Sequence, residues 1–297
     1  MGQAVFRTYA TLGRVLAALP EPVALGVANR VGDVLYRVRG DQRRMVTGNL
    51  RRVIGAEASD TAVLERWARM SFRSYARYWV EGARLPSMSP VEVEERTFVQ
   101  GFGHLEAGMA AGKGVILVLP HIGSWEFGGA FLAARGMPMT SVAERIEPPE
   151  LFDHFVAQRA AMGLDIVPLG ASSGSAINRA LRAGKLVGLL SDRDLMGNGI
   201  EVDFFGEATT MPAGPATLAL RSGALLTTGA VYSGPGADHQ AVVQAPLDTT
   251  RRGTLRQDVA RLTQEVATRL EGLIRRAPEQ WHVFQPLWLS DRPGRAA

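Results

Sequence analysis

Residues 115–129 read VILVLPHIGSWEFGG, and their order of residue types is the strongest structural signal in the chain. The first five residues form a short, continuous apolar run, which is typical of a strand that is buried on both faces. Pro120 ends this run, and Ser124 is a favoured residue at the start of a helix. The stretch therefore predicts a strand, a tight turn and a helix, an arrangement whose turn commonly carries functional side chains.

Two titratable residues lie at this turn, His121 and Glu126, five positions apart. A neutral imidazole can accept the proton of an alcohol, and a carboxylate can fix the ring tautomer and stabilise the cation that forms. The pair predicts acyl transfer to a hydroxyl, with His121 as general base and Glu126 as its support. Two simpler interpretations stay open. Glu126 interacts favourably with the positive end of the helix dipole, and His121 is a turn residue that forms hydrogen bonds with backbone groups.

Three later segments extend the pattern, namely SDRD at 191–194, VDFFG at 202–206 and PEQWH at 278–282. With the HxxxxE segment at 121–126, they make the chain resemble the lysophospholipid/lipid A acyltransferase superfamily over nearly its whole length. Within that superfamily it most resembles the actinobacterial phosphatidylinositol mannoside acyltransferases. The resemblance implies transfer of a palmitoyl or similar group from acyl-CoA to a mannose of a phosphatidylinositol mannoside, at the cytoplasmic leaflet of the plasma membrane. A lipid A-type, Kdo-linked acceptor with an acyl-carrier-protein donor is the alternative within the same chemistry.

The composition allows one large domain, because 297 residues with 46% apolar content can bury a full core. The chain has no cysteine, which excludes a disulfide framework, a thiolate metal site and a cysteine nucleophile. Direct transfer without an acyl-enzyme fits that absence. We expect no cofactor, no metal ion and no nucleic acid partner, with acyl-CoA as a co-substrate.

Residues 1–52 carry much of the basic excess, with nine arginines against three acidic residues. Their apolar residues fit two amphipathic helices that are interrupted at Pro20–Pro22. Basic amphipathic helices favour an anionic membrane surface, so we predict a peripheral, membrane-interface segment. A helical subdomain packed on the core, or a site for the phosphates of the donor, would use the same residues.

Nothing in the sequence is long and apolar enough to predict a membrane-spanning helix, and no signal peptide is recognisable. Beyond residue 100, helical and short apolar patterns alternate. We predict strands at 115–119, 140–143, 165–169, 186–191, 224–232 and 240–244, and helices at 103–111, 124–135, 150–162, 174–183, 213–222 and 253–276. This alternation predicts an α/β fold with a central mixed, largely parallel sheet flanked by helices on both faces. The predicted organisation is a membrane-interface segment at 1–52, an α/β acyltransferase domain at 53–292 and a loose tail at 293–297.

Polar residues follow the second and fourth predicted strands, where the carboxyl ends of parallel strands form binding sites. They are Glu144 and Arg145 after the former, and Asp192 and Arg193 after the latter. Carboxylates accept hydrogen bonds from sugar hydroxyls, and arginine binds phosphate oxygens. The resemblance further implies acceptor-binding roles for Glu144, Arg159 and Asp192. Structural ion pairs, such as Glu144 with Arg159 or Asp192 with Arg193, stay open for the same residues.

Two aromatic groups add to the predicted site. The resemblance implies that Phe204 and Phe205 line an acyl-chain channel, although core packing explains them as well. His282 lies in an aromatic cluster near the end of the chain and is predicted to donate to a sugar hydroxyl. An interfacial aromatic anchor is the other interpretation of that cluster.

Three further patterns compete with acyl transfer by a histidine. GASSG at 170–174 matches the nucleophile elbow of serine hydrolases, with Ser172 as nucleophile, Asp192 or Asp203 as the acid, and His282 as the base. A serine that caps a helix explains that pattern without catalysis. The acids at 192–203 approach the spacing of a calcium loop, but Met196 stands where a ligand is needed. A membrane-surface lipid-binding module would explain the basic segment but not the His121–Glu126 pair.

Overall fold

A computed structural model describes residues 11–291 of the chain. Residues 11–18 are helical. The helices that follow are α1 (Glu21–Val38), α2 (Gly40–Ile54), α3 (Thr61–Arg84), α4 (Pro90–Glu95), α5 (Gly103–Ala110), α6 (Trp125–Ala134), α7 (Pro149–Ala161), α8 (Ser173–Arg182), α9 (Gly214–Ser222) and α10 (Leu255–Ile274). The strands are β1 (Thr97–Gln100), β2 (Val115–Leu119), β3 (Met139–Ala143), β4 (Leu164–Pro168), β5 (Leu186–Leu190), β6 (Ile200–Phe204), β7 (Glu207–Met211), β8 (Leu225–Ser233) and β9 (His239–Val243).

Seven of these strands form one sheet in the order β1-β9-β8-β2-β5-β3-β4. Neighbouring strands are parallel except for β8 and β9, which run antiparallel. The remaining two strands, β6 and β7, form a separate antiparallel hairpin. The predicted α/β fold with a mixed, largely parallel sheet is therefore confirmed.

Helices cover both faces of this sheet, as the packing of β2 shows. All five residues of β2 are buried. Ile116 and Val118 pack into a core shared with α8, α9 and α10, whereas Val115, Leu117 and Leu119 pack into a second core with α5 and α6. Because successive side chains of a strand point to opposite faces, a strand buried on both must be apolar throughout. The apolar run at 115–119 is the sequence signature of that position.

The predicted strands and helices beyond residue 100 all occur, within about two residues of their expected bounds. The sequence patterns did not predict β1, the β6–β7 hairpin or α3. The strand β1 is four residues long, and its Phe98 is exposed, so it carries no alternation of apolar and polar residues. Short edge strands of this kind are formed by pairing with a neighbour, which local sequence does not specify.

The N-terminal helices pack against α3, and ion pairs between the buried Asp33 of α1 and two partly exposed arginines of α3 fix α1 on it. Asp33 accepts hydrogen bonds from Arg69 Nε and Arg73 Nε, each at 2.7 Å. These guanidinium groups hold the pKa of Asp33 well below its ordinary value. The predicted interruption of the helices near Pro20 is present.

The helix α2 continues across the proposed boundary between residues 52 and 53, so secondary structure does not break there. The beginning of the predicted N-terminal helix, at residues 1–10, and the predicted tail at 293–297 lie outside the described residues. Across residues 11–291, every helix is too short or too polar to traverse a bilayer.

Candidate active site

The register between β2 and β5 brings the first two site residues together. Leu119 pairs with Leu190, and the amide of Ser191 donates to the carbonyl of Leu119 at 3.0 Å. Continued for two residues past the strand ends, this parallel register places His121 level with Asp192. The two residues are 71 positions apart in sequence, and the pairing of their strands is what joins them.

A compact set of hydrogen bonds holds the imidazole of His121 on the carboxylate of Asp192. His121 Nδ1 lies 2.5 Å from Asp192 Oδ1, and the backbone amide of His121 donates to Oδ2 at 2.9 Å. Trp281 Nε1 donates to the same Oδ2 at 2.8 Å. Asp192 is fully buried. Burial alone would raise the pKa of this carboxyl, but the His121 ring and these donors hold it below its ordinary value.

This arrangement sets the protonation pattern that a general base needs. When Nδ1 donates its hydrogen to Asp192, the lone pair of the neutral ring lies on Nε2. The His121 side chain is 15% exposed and borders a cavity, so a substrate hydroxyl can approach that nitrogen. The buried carboxylate would also stabilise the imidazolium formed after proton transfer.

The expected contact between Glu126 and the His121 ring does not occur among the hydrogen bonds and ion pairs of residues 11–291, and this prediction is corrected. Glu126 instead accepts from Arg159 Nε at 2.9 Å and also pairs with Arg159 Nη2. Burial alone would lower the pKa of Arg159, but the Glu126 carboxylate offsets burial and holds it above its ordinary value. Glu126 lies in α6 and contacts Arg159 of α7, whereas Asp192 follows β5 and contacts His121.

A cavity of about 230 Å³ opens beside His121, and most of its wall is apolar. The apolar lining consists of Trp79, Leu119, Trp125, Met139, Val142, Ala143, Ile146, Phe152, Phe155, Leu164, Ile166, Leu190 and Leu195. Its titratable lining consists of His121, Glu126, Glu144, Arg159 and Arg193. Five of the residues predicted for the site thus border one cavity. Asp192 lies behind the histidine and is too deeply buried to contact a sugar, contrary to its predicted acceptor-binding role.

The structure does not bring the remaining predicted site residues to the wall of this cavity. His282 is buried, and its Nε2 lies 2.9 Å from Ser74 Oγ. Burial lowers the pKa of His282 to about 3, so the ring is neutral near pH 7. Phe204 is fully buried against Trp281 and Trp288. Phe204 and Phe205 therefore belong to the hydrophobic core and do not line the channel predicted for them.

The turn after β2 uses its own backbone amides for structure. The amides of Ile122, Gly123 and Ser124 donate to the carbonyls of Pro120, Gln280 and Val231, respectively. Gly123 has φ of +57°, and a Cβ built on it would lie 2.0 Å from the Val231 oxygen, so a larger residue cannot stand there. This close approach presses the turn against β8 and orients His121.

The competing serine-hydrolase constellation is not assembled. Ser172 precedes α8 with ordinary right-handed helical angles, φ −90° and ψ −10°, and it is exposed. Of the two acids proposed for it, Asp192 contacts His121, and Asp203 accepts from the amide of Gly206 at 3.1 Å. The proposed base, His282, contacts Ser74. A nucleophile elbow requires a sharp turn that carries the serine to its base, and neither feature is present here.

The acidic segment at 192–203 forms hydrogen bonds with its own backbone amides. Asp194 accepts from the amides of Gly197 at 2.9 Å and Gly199 at 2.8 Å, which closes a loop after β5. In the part of the chain that the structure describes, no three or more potential ligand side chains group together for a metal ion.

Sequence reasoning missed the roles of three residues at the site. Trp281 belongs to the PEQWH segment and to the aromatic cluster that contains His282, yet its indole donates to Asp192. Trp79 and Tyr78 of α3 also border the catalytic region, with the Tyr78 ring stacked on Trp125 at 4.3 Å. The PEQWH segment marks Trp281 but not its contact with Asp192, and no local pattern marks Trp79 or Tyr78. These relations to His121 arise only when distant segments pack together.

Comparison with known proteins relates the chain to one family. The family described as bacterial lipid A biosynthesis acyltransferase matches residues 2–290. The phosphatidylinositol mannoside acyltransferase of Mycolicibacterium smegmatis is 36% identical over 294 residues, which cover 98% of this chain and 93% of that protein. A protein of the same name from Mycobacterium tuberculosis is 38% identical over 289 residues, covering 95% of this chain and 88% of the relative.

Proposed function

The chain belongs to the bacterial lipid A biosynthesis acyltransferase family and is an acyltransferase, and from this premise we propose its substrates. The donor is an acyl-CoA with a long chain, palmitoyl or similar. The acceptor is a mannose hydroxyl of a phosphatidylinositol mannoside. The observation that carries the proposal is the His121 imidazole, held through Nδ1 by a buried carboxylate at the side of a mostly apolar cavity. The names of the relatives support the choice of acceptor.

In the proposed reaction, His121 Nε2 accepts the proton of the mannose hydroxyl as its oxygen attacks the thioester carbonyl carbon. The new C–O bond forms, and the tetrahedral intermediate then expels the CoA sulfur. The imidazolium returns the proton to that sulfur, which leaves as the thiol. Asp192 stabilises the imidazolium between these two transfers. The steps balance without an acyl-enzyme, a cofactor or a metal ion.

The cavity supports a division between an apolar and a polar part of the substrates. Side chains such as Met139, Leu164 and Ile166 would surround the acyl chain, because burial of methylene groups is favourable. Arg159 and Arg193 present guanidinium groups to the same space, and these can bind sugar or phosphate oxygens. Glu126 acts in this scheme as a positioning residue for Arg159.

Membrane association is part of the proposal, at the cytoplasmic face of the plasma membrane. Five valines of α1, spaced to lie along one side of the helix, are between 38% and 66% exposed: Val23, Val27, Val31, Val34 and Val38. Residues 1–52 also have an excess of six positive charges. An exposed apolar stripe beside arginines suits the interface of an anionic bilayer.

The first experiment measures transfer of a radiolabelled palmitoyl group from CoA to purified phosphatidylinositol mannoside by wild type, His121→Ala and Ser172→Ala. His121→Ala should lower turnover by about two to four orders of magnitude, the usual contribution of general acid–base catalysis. This variant should still bind the donor, as measured by titration with acyl-CoA. Ser172→Ala should behave as wild type because this side chain lies outside the site.

Three results would contradict the proposal. Full turnover by His121→Ala would exclude His121 as the base. Release of free fatty acid by wild type, abolished only by Ser172→Ala, would favour the serine-hydrolase interpretation instead. Transfer only from acyl carrier protein to a Kdo-linked acceptor would assign the protein to the lipid A branch of the same chemistry.

A further inference from the structure

A second cavity, hereafter the α1–α3 groove, lies between the helical residues 11–18, α1 and α3. Its volume is about 310 Å³. Its lining includes Leu12, Leu16, Val27, Val31, Leu35 and Val80. The wall is made of aliphatic and aromatic side chains, so the groove suits a hydrocarbon rather than a polar ligand.

The α1–α3 groove adjoins the catalytic cavity. Trp79 lines both spaces. Tyr75, another wall residue, has its ring centroid 5.5 Å from that of His282, whose backbone amide donates to the His121 carbonyl at 2.7 Å. Trp79 is thus a common wall between the groove and the space beside His121.

The surroundings of the groove are those of a surface facing a lipid. Val27 and Val31 belong both to its wall and to the exposed apolar stripe of α1. Arg14 and Arg30 are exposed on the same two helical segments. A bilayer that contacts this stripe would meet the open side of the groove, and the arginines would complement an anionic headgroup.

We propose that the α1–α3 groove binds an acyl chain that the glycolipid acceptor already carries. This inference rests on the proposed function. The catalytic cavity is assigned to the chain of the donor, so an acceptor whose sugar reaches His121 needs a separate apolar place for its own tail. Without one, methylene groups drawn out of the bilayer would be exposed to water, which is unfavourable in proportion to their number.

A pair of matched variants tests the role of the groove in catalysis. Val31→Trp places an indole at a wall position, whereas Val91→Trp makes the same change at an exposed valine of α4, outside both the groove wall and the stripe of α1. Each variant is assayed with intact phosphatidylinositol mannoside and with its deacylated, water-soluble headgroup. Val31→Trp should raise KM for the intact acceptor about tenfold and leave the deacylated acceptor unaffected. Val91→Trp should leave both unchanged.

A binding measurement remains informative if Val31→Trp folds poorly. Wild-type protein is irradiated with phosphatidylinositol mannoside that carries a diazirine in one acyl chain, and the modified residues are mapped by mass spectrometry. Crosslinks should fall within 27–35 and 75–83, and a bulk phospholipid with the same diazirine should label the groove wall at least tenfold less. Labelling absent from both ranges, or equal with the two lipids, would overturn the inference and indicate that residues 1–10, a second copy or general bilayer contact covers the groove.

The outcomes separate this inference from the proposed function. If wild type acylates neither acceptor, the proposed function fails. If wild type acylates the intact acceptor and Val31→Trp does so with unchanged KM, the function stands and the groove has no role in acceptor binding. An equal loss of activity with intact and deacylated acceptors would also overturn the inference about the groove, because the defect would not depend on the acyl chains of the acceptor.

Discussion

The His121 ring receives its partner from across the sheet, and this gives Asp192 and Glu126 different duties. Asp192 contacts the imidazole directly, while Glu126 contacts Arg159. A carboxylate on Nδ1 controls both the tautomer and the energy of the imidazolium, so it affects the chemical step. A carboxylate that orients an arginine affects substrate binding instead.

Substitution of each acid should separate these duties. We expect Asp192→Asn to lower kcat by about two to four orders of magnitude, because the amide neither favours the required tautomer nor balances the cation. Glu126→Gln should be milder, with a higher KM for the acceptor. Steady-state kinetics at several acceptor concentrations measure both effects. Asp194→Asn, whose carboxylate holds only loop amides, is the control. Equal loss of kcat in the Glu126 and Asp192 variants would refute this division.

The strands β3, β4 and β5 form the inner part of the cavity wall, and one close contact there limits its depth. Gly188 of β5 lies against Met139 of β3, and a Cβ built on Gly188 would be 2.2 Å from Met139 Sδ. Met139 lines the cavity, so a residue larger than glycine at 188 would force this flexible side chain to move.

We therefore expect Gly188→Ala to shift the donor preference toward shorter acyl chains, with about a tenfold lower ratio of palmitoyl to lauroyl transfer. Met139→Ala should shift the preference in the opposite direction because it enlarges the cavity. The measurement is kcat/KM over a series of acyl-CoA donors. Gly272→Ala, where the added Cβ meets no atom within 4 Å, is the matched control. An unchanged chain-length profile in both cavity variants would show that this wall does not determine the preferred length of the acyl chain.

The exposed apolar stripe of α1 leads to a separate prediction about membrane binding. The double variant Val23→Asp/Val34→Asp should weaken binding to anionic vesicles by at least tenfold, since it places carboxylates where the apolar side would enter the interface. Sedimentation with vesicles measures binding. Val91→Asp/Phe98→Asp, which changes two exposed apolar residues outside α1, should bind as wild type does. Transfer to a deacylated acceptor should be retained by both, and equal vesicle binding by the two variants would contradict the role of α1.

At the scale of the whole molecule, the last segment of the chain joins the catalytic turn to the N-terminal helices. The amide of Gly123 donates to Gln280 O at 2.9 Å, and Asn49 Nδ2 of α2 donates to Val283 O at 2.9 Å. Arg52 of α2 pairs with Asp291 at 3.0 Å. The site is therefore held by contacts between regions at opposite ends of the chain.

The buried His282 in this segment predicts a loss of stability in acid. Its pKa falls from an ordinary 6.5 to about 3 because burial disfavours the charged ring. Between these values the unfolded chain binds a proton that the folded chain does not, so the free energy of unfolding falls as pH falls, by about 1.4 kcal/mol per pH unit. Urea unfolding at pH 6.0, 5.3 and 4.5, all between these two pKa values, should show a slope close to this.

His282→Gln should flatten that slope, because glutamine does not titrate. Glu81, whose pKa is lowered to about 2, contributes stability that is lost mainly below pH 4.5, so it affects a different range. In that variant we expect the free energy of unfolding to change by less between pH 6.5 and 4.5 than it does in wild type. Identical slopes in the two proteins would show that His282 is not the responsible group.

Much of the architecture was predictable because its signals are local. The apolar run at 115–119, Pro120 and Ser124 predicted β2, the catalytic turn and α6 from neighbouring residues. The alternation of strands and helices predicted the α/β fold. Edge strand β1 and the β6–β7 hairpin were missed because pairing, rather than residue preference, defines them.

The amino-acid sequence was sufficient to identify the fold class, His121 as the candidate base and the family, since each depends on residue types at short spacing or in a fixed order. The partner of His121 was not accessible in this way. Glu126 is near it in sequence, but Asp192 is near it in space because β2 and β5 are neighbours in register. Strand order depends on the packing of the whole sheet, a long-range property that local periodicity does not encode. For the same reason, only the folded chain shows that Arg159 pairs with Glu126 and that the Trp281 indole donates to Asp192.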